Sequence, residues 1–146
     1  MTLILCIDDN GGIAFCGKRQ SKDRVVLEDI RRISEGGCLW VSPYTQALFM
    51  EYGLEEIMPQ LHTDTVPGAR AQTGDYLFWE AGVEFPAGKK IEQMVLYVWG
   101  RSYPATETAQ FPKGAWALES VESLQGYSHP EIVKIHLKRL AEKEEV

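Results

Sequence analysis

Leu3-Ile4-Leu5-Cys6-Ile7 is an uninterrupted apolar run that ends abruptly at Asp8-Asp9-Asn10-Gly11-Gly12. A run this short, closed by residues that break strands and favour turns, predicts a buried first strand. Beyond the loop, Val25, Val26, Ile30 and Ile33 recur among charged residues until Gly36-Gly37 closes the pattern. Their spacings of one, four and three predict an amphipathic helix from about Lys22 to Glu35. The motif then repeats. Cys38-Leu39-Trp40-Val41 reads as a second buried strand, and Pro43 suits the first turn of a short helix carrying Ala47, Leu48, Phe49 and Tyr52.

Between Glu55 and Thr73, Ile57-Met58 and Leu61 suggest a strand, and Pro67-Gly68 marks a loop. Tyr76-Leu77-Phe78-Trp79 and the segment from Met94 to Trp99 read as buried central strands, joined by a Pro- and Gly-containing connection with room for a short helix. Near the C-terminus, Val133, Ile135 and Leu137 alternate with Lys134, His136 and Lys138, a period of two that predicts a strand with one wet face. Strands separated by helices imply a mostly parallel sheet, and terminal strands without helices imply an antiparallel edge. The expected product is a three-layer α/β domain spanning residues 1–146, with a ferredoxin-like arrangement as the alternative.

Composition supports one domain, because 146 residues with 45% apolar and 10% aromatic content fill a single core. A formal charge of −6 argues against nucleic acid as a partner, since phosphates are bound mainly by surplus Lys and Arg. Cys6, Cys16 and Cys38 form no Cys-x-x-Cys pair and suggest neither a disulfide framework nor a zinc knuckle. The first apolar run is too short for a signal-peptide core, and no run approaches the ~20 residues of a membrane span. A cytoplasmic protein without a membrane partner is expected.

With these elements in order, Ile7-Asp8-Asp9-Asn10-Gly11-Gly12-Ile13 resembles the first strand and active-site loop of dihydrofolate reductase. Leu27-Glu28-Asp29-Ile30-Arg31 resembles that family's helix with its acid, so the resemblance makes Asp29 the candidate catalytic residue. Val41-Ser42-Pro43-Tyr44-Thr45 is similar to the strand end and helix start that carry Gly-Arg-x-Thr for the cofactor phosphate; Thr45 fits, while Ser42 and Pro43 depart. The run from Leu96 to Pro112 resembles the segment ending Phe-Pro, and Trp116 to Leu140 resembles the closing hairpin with its Ser128-His129 turn. The resemblance implies a three-layer dihydrofolate reductase-like sandwich with an antiparallel C-terminal edge, and places Ile13 and Thr45 among the ligand contacts.

Three departures bear on chemistry. Glu80-Ala81 stand where reductases carry a Gly-Gly pair that lets the cofactor pyrophosphate approach the backbone. Glu80 brings a negative charge toward an anion and Ala81 a Cβ, so NADPH is disfavoured and no cofactor is expected. Glu107-Thr108-Ala109 replaces the Gly-Asp-Thr before Phe-Pro, and the chain is shortened between Thr45 and Tyr76.

The segments from Lys18 to Val26 and from Tyr97 to Ala105 resemble a group of short bacterial proteins often labelled ribonuclease Z. Enzymes properly so named use two zinc ions held by a His-x-His-x-Asp-His cluster, and this chain has only His62, His129 and His136, widely spaced. Neither His129 nor His136 has a Cys or Ser partner at motif spacing.

Lys18, Arg19, Lys22 and Arg24, with Arg31 and Arg32 further along the helix, suit a phosphate clamp or a plain solvated face. Trp99, Arg101 and Tyr103 alternate along the chain, as in a stacking surface for a planar ligand or ordinary sheet packing. The expected function is a dihydrofolate reductase-like domain that binds a small planar or phosphorylated ligand without reducing folate. The alternatives are an active enzyme, either a diverged NADPH-dependent reductase or a ribonuclease acting on tRNA precursors, and a structural module in a homo-oligomer.

Overall fold

The computed structural model describes residues 1–141. Ten strands are formed: β1 (Thr2–Ile7), β2 (Gly12–Phe15), β3 (Lys18–Arg19), β4 (Leu39–Val41), β5 (Leu61–Thr63), β6 (Tyr76–Phe78), β7 (Gln93–Val98), β8 (Glu107–Thr108), β9 (Trp116–Leu124) and β10 (Ile132–Arg139). Two α-helices, α1 (Arg24–Ile33) and α2 (Pro43–Glu51), follow β3 and β4. Seven strands build the central sheet in the order β5-β4-β6-β1-β7-β10-β9. Its first five strands are parallel, and β10 and β9 add an antiparallel edge.

The apolar run that becomes β1 lies between two parallel neighbours, β6 and β7, which explains why it has no polar alternation. Leu3 and Leu5 face one side of the sheet while Ile4 faces the other, and each side builds its own core. On the Ile4 side, Val26, Leu27 and Ile30 of α1 and Leu48 and Phe49 of α2 pack against Val95, Tyr97 and Phe78. At roughly 25 cal/mol per Å² of apolar surface removed from water, these side chains supply most of the driving force that holds the helices to the sheet.

Asp23 caps α1 by accepting from the Val25 backbone N–H at 2.9 Å, and Ser42 caps α2 by accepting from Thr45 N at 3.2 Å, with Pro43 in the first turn. Gln60 closes the other end of α1, donating to the Arg31 carbonyl at 2.8 Å and to Ser34 Oγ at 2.7 Å. The helix is two residues shorter at each end than its periodicity predicts, because Asp23 and Ser34 are caps rather than helical residues.

The Leu3/Leu5 side is covered differently. Both crossovers on this side, residues 64–75 and 79–92, are free of helix, so the connection before β7 does not use its room for a short helix. The third layer consists of irregular connections. Ile57 ends a single 3-10 turn (Glu55–Ile57) instead of joining Leu61 in a strand, and β5 starts only at Leu61. The first loop also acquires structure: β2 pairs with β3 and β8 in a second, three-stranded sheet. Cys16 and Gly17, with φ of 51° and 76°, form the two-residue turn between β2 and β3.

The alternation in β10 hides one exception. Lys134, expected on the wet face, is only 8% exposed because α1 lies over that face and supplies Asp29 as its partner.

Candidate functional site

Asp29 lies on the buried stripe of α1, 7% exposed, above the centre of the sheet. One carboxylate oxygen accepts from the Tyr97 hydroxyl at 2.6 Å and from Lys134 Nζ at 2.9 Å, and the other accepts from Arg32. Burial opposes ionisation of this carboxyl, yet the bonds from Tyr97, Lys134 and Arg32 outweigh it and hold its pKa below the usual carboxylate value. Burial, reinforced by the Asp29 charge, pushes the Tyr97 hydroxyl far above its ordinary range, so it acts as a donor. The candidate catalytic acid therefore sits in a buried ionic cluster, held by three side chains of the same chain.

The candidate phosphate contacts converge on a protein carboxylate. Arg19 grips Glu80 with two parallel bonds, Nε to Oε2 at 2.9 Å and Nη2 to Oε1 at 2.8 Å, and Thr45 Oγ1 donates to the same Oε1 at 2.8 Å. The guanidinium also stacks over the Tyr44 ring, 3.9 Å from its centroid. Arg19, from the basic segment, and Thr45, which the resemblance placed among the ligand contacts, thus meet on a protein carboxylate, Glu80. Replacing Glu80 with Ala vacates this position and leaves a half-buried guanidinium beside a free hydroxyl. Thermal unfolding of Glu80→Ala is expected to rise by several degrees in millimolar pyrophosphate, while the parent protein does not respond.

The remaining clamp residues disperse. Lys22 pairs with Glu51 at 2.7 Å, Arg24 lies 3.8 Å from Glu28, and Lys18 is exposed at the end of the β2–β3 turn. These three cations do not converge on one point. Nor does Trp99 offer a ligand platform: it is 3% exposed and stacks on His129, with ring centroids 4.6 Å apart. Arg101 donates to the Ser128 carbonyl at 2.8 Å. Both residues serve the turn between β9 and β10.

Around His129 lies a cluster that motif spacing does not reveal. Its Nδ1 is 3.0 Å from Asp23 Oδ2, and its Nε2 is 2.8 Å from Ser21 Oγ and 2.9 Å from the Tyr103 hydroxyl. Asp23 also accepts from the backbone N–H groups of Tyr127 at 3.0 Å and Ser128 at 2.9 Å. Burial works against the Asp23 charge, but the His129 bond and three backbone N–H groups overcome it and bring the carboxyl to about 2. An ionised Asp23 accepts the Nδ1 proton, and in the neutral tautomer Nε2 is then the acceptor for the two hydroxyls. The Ser128-His129 pair was the sequence signal; Asp23 gave none, because the expected helix started at about Lys22 and enclosed it.

Asp8 organises the first loop, accepting from the backbone of Asn10, Gly12 and Tyr103 and from Gln20 Nε2 at 2.8–3.1 Å. The loop closes down: between it and the sheet remains a crevice of about 10 Å³ lined by Cys6, Ile13, Gln20, Ser21, Trp79 and Trp99, among others. By contrast, the loop-covered side of the sheet holds a cavity of about 860 Å³. Leu3, Leu5, Ile13, Trp79, Phe85, Ile91 and Phe111 give it apolar walls, and Lys89, Lys90, Lys113 and Arg139 contribute positive charge. Of the predicted ligand contacts, Ile13 alone lines it. Among the described residues no group of three or more His, Cys, Asp or Glu converges in a way that suits a metal ion, and the ribonuclease Z label gains no support.

The seven-stranded sheet, its antiparallel edge and the two crossover helices define a mixed α/β protein with a dihydrofolate reductase-like fold. The chain is similar to the solved structure of dihydrofolate reductase from Enterococcus faecalis, complexed with NADP(H) and RAB-propyl, at 13% identity and a TM-score of 0.56 over 96% of each chain. No protein-family model matches the sequence, and no curated protein is significantly similar to it. No described helix is long and apolar enough to cross a membrane.

Proposed function

We propose that this chain is a dihydrofolate reductase-like domain that binds a small planar, anionic ligand and does not reduce folate. The 860 Å³ cavity carries this reading. Its aromatic and aliphatic walls suit a flat apolar body, and Lys90 and Lys113, with Lys89 and Arg139 partly engaged by backbone carbonyls and one acid, Glu107, in the lining, suit a phosphate or carboxylate. Two features of the reductase-like cleft support the second half of the proposal. Glu80 holds Arg19 and Thr45, so a cofactor phosphate would have to displace a carboxylate in a bidentate pair. Asp29 is already engaged by Tyr97, Lys134 and Arg32, so a pterin would have to compete with three side chains for its carboxylate.

Titration with 4-methylumbelliferyl phosphate, a planar aromatic phosphate, tests the cavity. Saturable binding in the micromolar range is expected, weakened at least tenfold in the Lys90→Glu, Lys113→Glu double variant. Failure to saturate by about 1 mM, equivalent to ~4 kcal/mol of binding energy, would sink the proposal. Quenching of tryptophan fluorescence by low-micromolar NADPH would sink its second half.

A further inference from the structure

We infer that Ser21, His129 and Asp23 form a serine-nucleophile relay that cleaves small acyl esters, an activity separate from ligand binding in the apolar cavity. The chain places three side chains from two distant segments in line. Ser21 Oγ lies 2.8 Å from His129 Nε2, and His129 Nδ1 lies 3.0 Å from Asp23 Oδ2. This is the connectivity a hydroxyl needs to lose its proton: a neutral imidazole nitrogen facing it, and a buried carboxylate fixing the tautomer from behind.

His129 and Asp23 have side-chain exposures of 2% and 0%, and Trp99 stacks on the imidazole, so neither the ring nor its orienting acid is free to turn away. Ser21 is half-buried and opens into the small crevice. Two further residues of that crevice have buried polar atoms with no partner: the Trp79 indole N–H, a donor, and Gln20 Oε1, an acceptor. Buried polar atoms are rarely left unpaired in one place, and a donor and an acceptor together suit a water or a carbonyl group. Cys6, the other nucleophile candidate in the crevice, is excluded by burial, which pushes its thiol well above the ordinary range and keeps it protonated.

The reaction balances without a cofactor. Ser21 Oγ attacks the ester carbonyl carbon while its proton passes to His129 Nε2. Collapse of the tetrahedral adduct breaks the bond to the alkoxy oxygen, which takes that proton and leaves as the alcohol. Water then gives a proton to Nε2 and attacks the acyl-serine, releasing the carboxylic acid and returning the proton to Oγ. A crevice of about 10 Å³ holds one water-sized group, such as the carbonyl oxygen, and the rest of the ester stays outside it beside the half-buried Ser21. Asp23 is a positioning residue. Tyr103, whose hydroxyl also reaches Nε2 at 2.9 Å, competes with Ser21 for the base.

Incubation of the full chain with diisopropyl fluorophosphate, followed by intact and peptide mass measurement, tests the relay. A single adduct on Ser21 is expected, absent in Ser21→Ala and slowed at least a hundredfold in His129→Gln. Tyr103→Phe, which frees Nε2 for Ser21 alone, is expected to label at least as fast as the parent. Asp23→Asn, studied under conditions where circular dichroism shows it fully folded, is expected to label at least tenfold more slowly. No adduct, an adduct on Tyr103, or equal labelling of parent and His129→Gln overturns the inference. Hydrolysis of p-nitrophenyl acetate, lost in Ser21→Ala, is the matching turnover readout. None of these outcomes depends on whether the aromatic phosphate binds.

Discussion

Replacing Asp29 with alanine is expected to cost about 3–5 kcal/mol of folding stability, the largest loss predicted for any single side chain here. The loss follows from what remains behind. Lys134, 8% exposed, loses the carboxylate it pairs with beneath α1, and the fully buried Tyr97 hydroxyl loses its acceptor. Urea unfolding at neutral pH measures it as a drop in midpoint with an unchanged slope. Adding Lys134→Met and Tyr97→Phe to the alanine variant is expected to restore most of the stability, since apolar groups of similar size tolerate the site. A fully stable Asp29→Ala protein would show that the acid is not part of the framework and would return it to the list of candidate catalytic residues.

The second large effect lies at Asp23, where one carboxylate caps α1, ties down the turn between β9 and β10, and faces His129. Asp23→Ala is expected to lose about 3 kcal/mol, combining a lost cap with several buried donors left unpaired. Its pH signature has a definite sign. With the folded carboxyl at about 2 and the unfolded one near 4, the native state binds its proton less readily than the unfolded chain does. The stabilisation, about 2.5 kcal/mol, is complete above about pH 4 and disappears as the pH falls through 2. Unfolding midpoints measured from pH 6 down to pH 2 should therefore fall steeply in the parent protein and less steeply in the alanine variant. The slope that persists comes from Asp8 and Asp29, whose carboxyls are also held low.

The framework was legible wherever local pattern and tertiary role coincide. Leu3–Ile7 is apolar throughout because it lies between two parallel strands, and Ser42-Pro43 reads as a helix start because capping is local chemistry. The connections were harder. Residues 79–92 follow a strand in a crossover that normally holds a helix, yet Pro86 and the glycines at 82 and 88, both at positive φ, favour an irregular path.

The candidate site was the least legible part, for a geometric reason. Asp29 meets Lys134, Arg19 meets Glu80 and Asp23 meets His129, pairs separated by 105, 61 and 106 positions, so no spacing rule connects them. Each cation or acid looked available because its partner lay in a different part of the chain. Lys134 even occupied the polar phase of an alternating strand, and only the packing of α1 above it turned that phase inward.

The one-sided placement of the helices divides the molecule in its motions as well as in its architecture. Opening the face under α1 and α2 breaks a cooperative unit of helical hydrogen bonds and apolar contacts together, whereas the face under residues 64–75 and 79–92 is covered by chain with no helical ladder to break. A ligand of the kind proposed above would therefore need only a sub-global fluctuation of the cavity's cover to enter, leaving the helix-backed half, with Asp29 and Lys134, undisturbed.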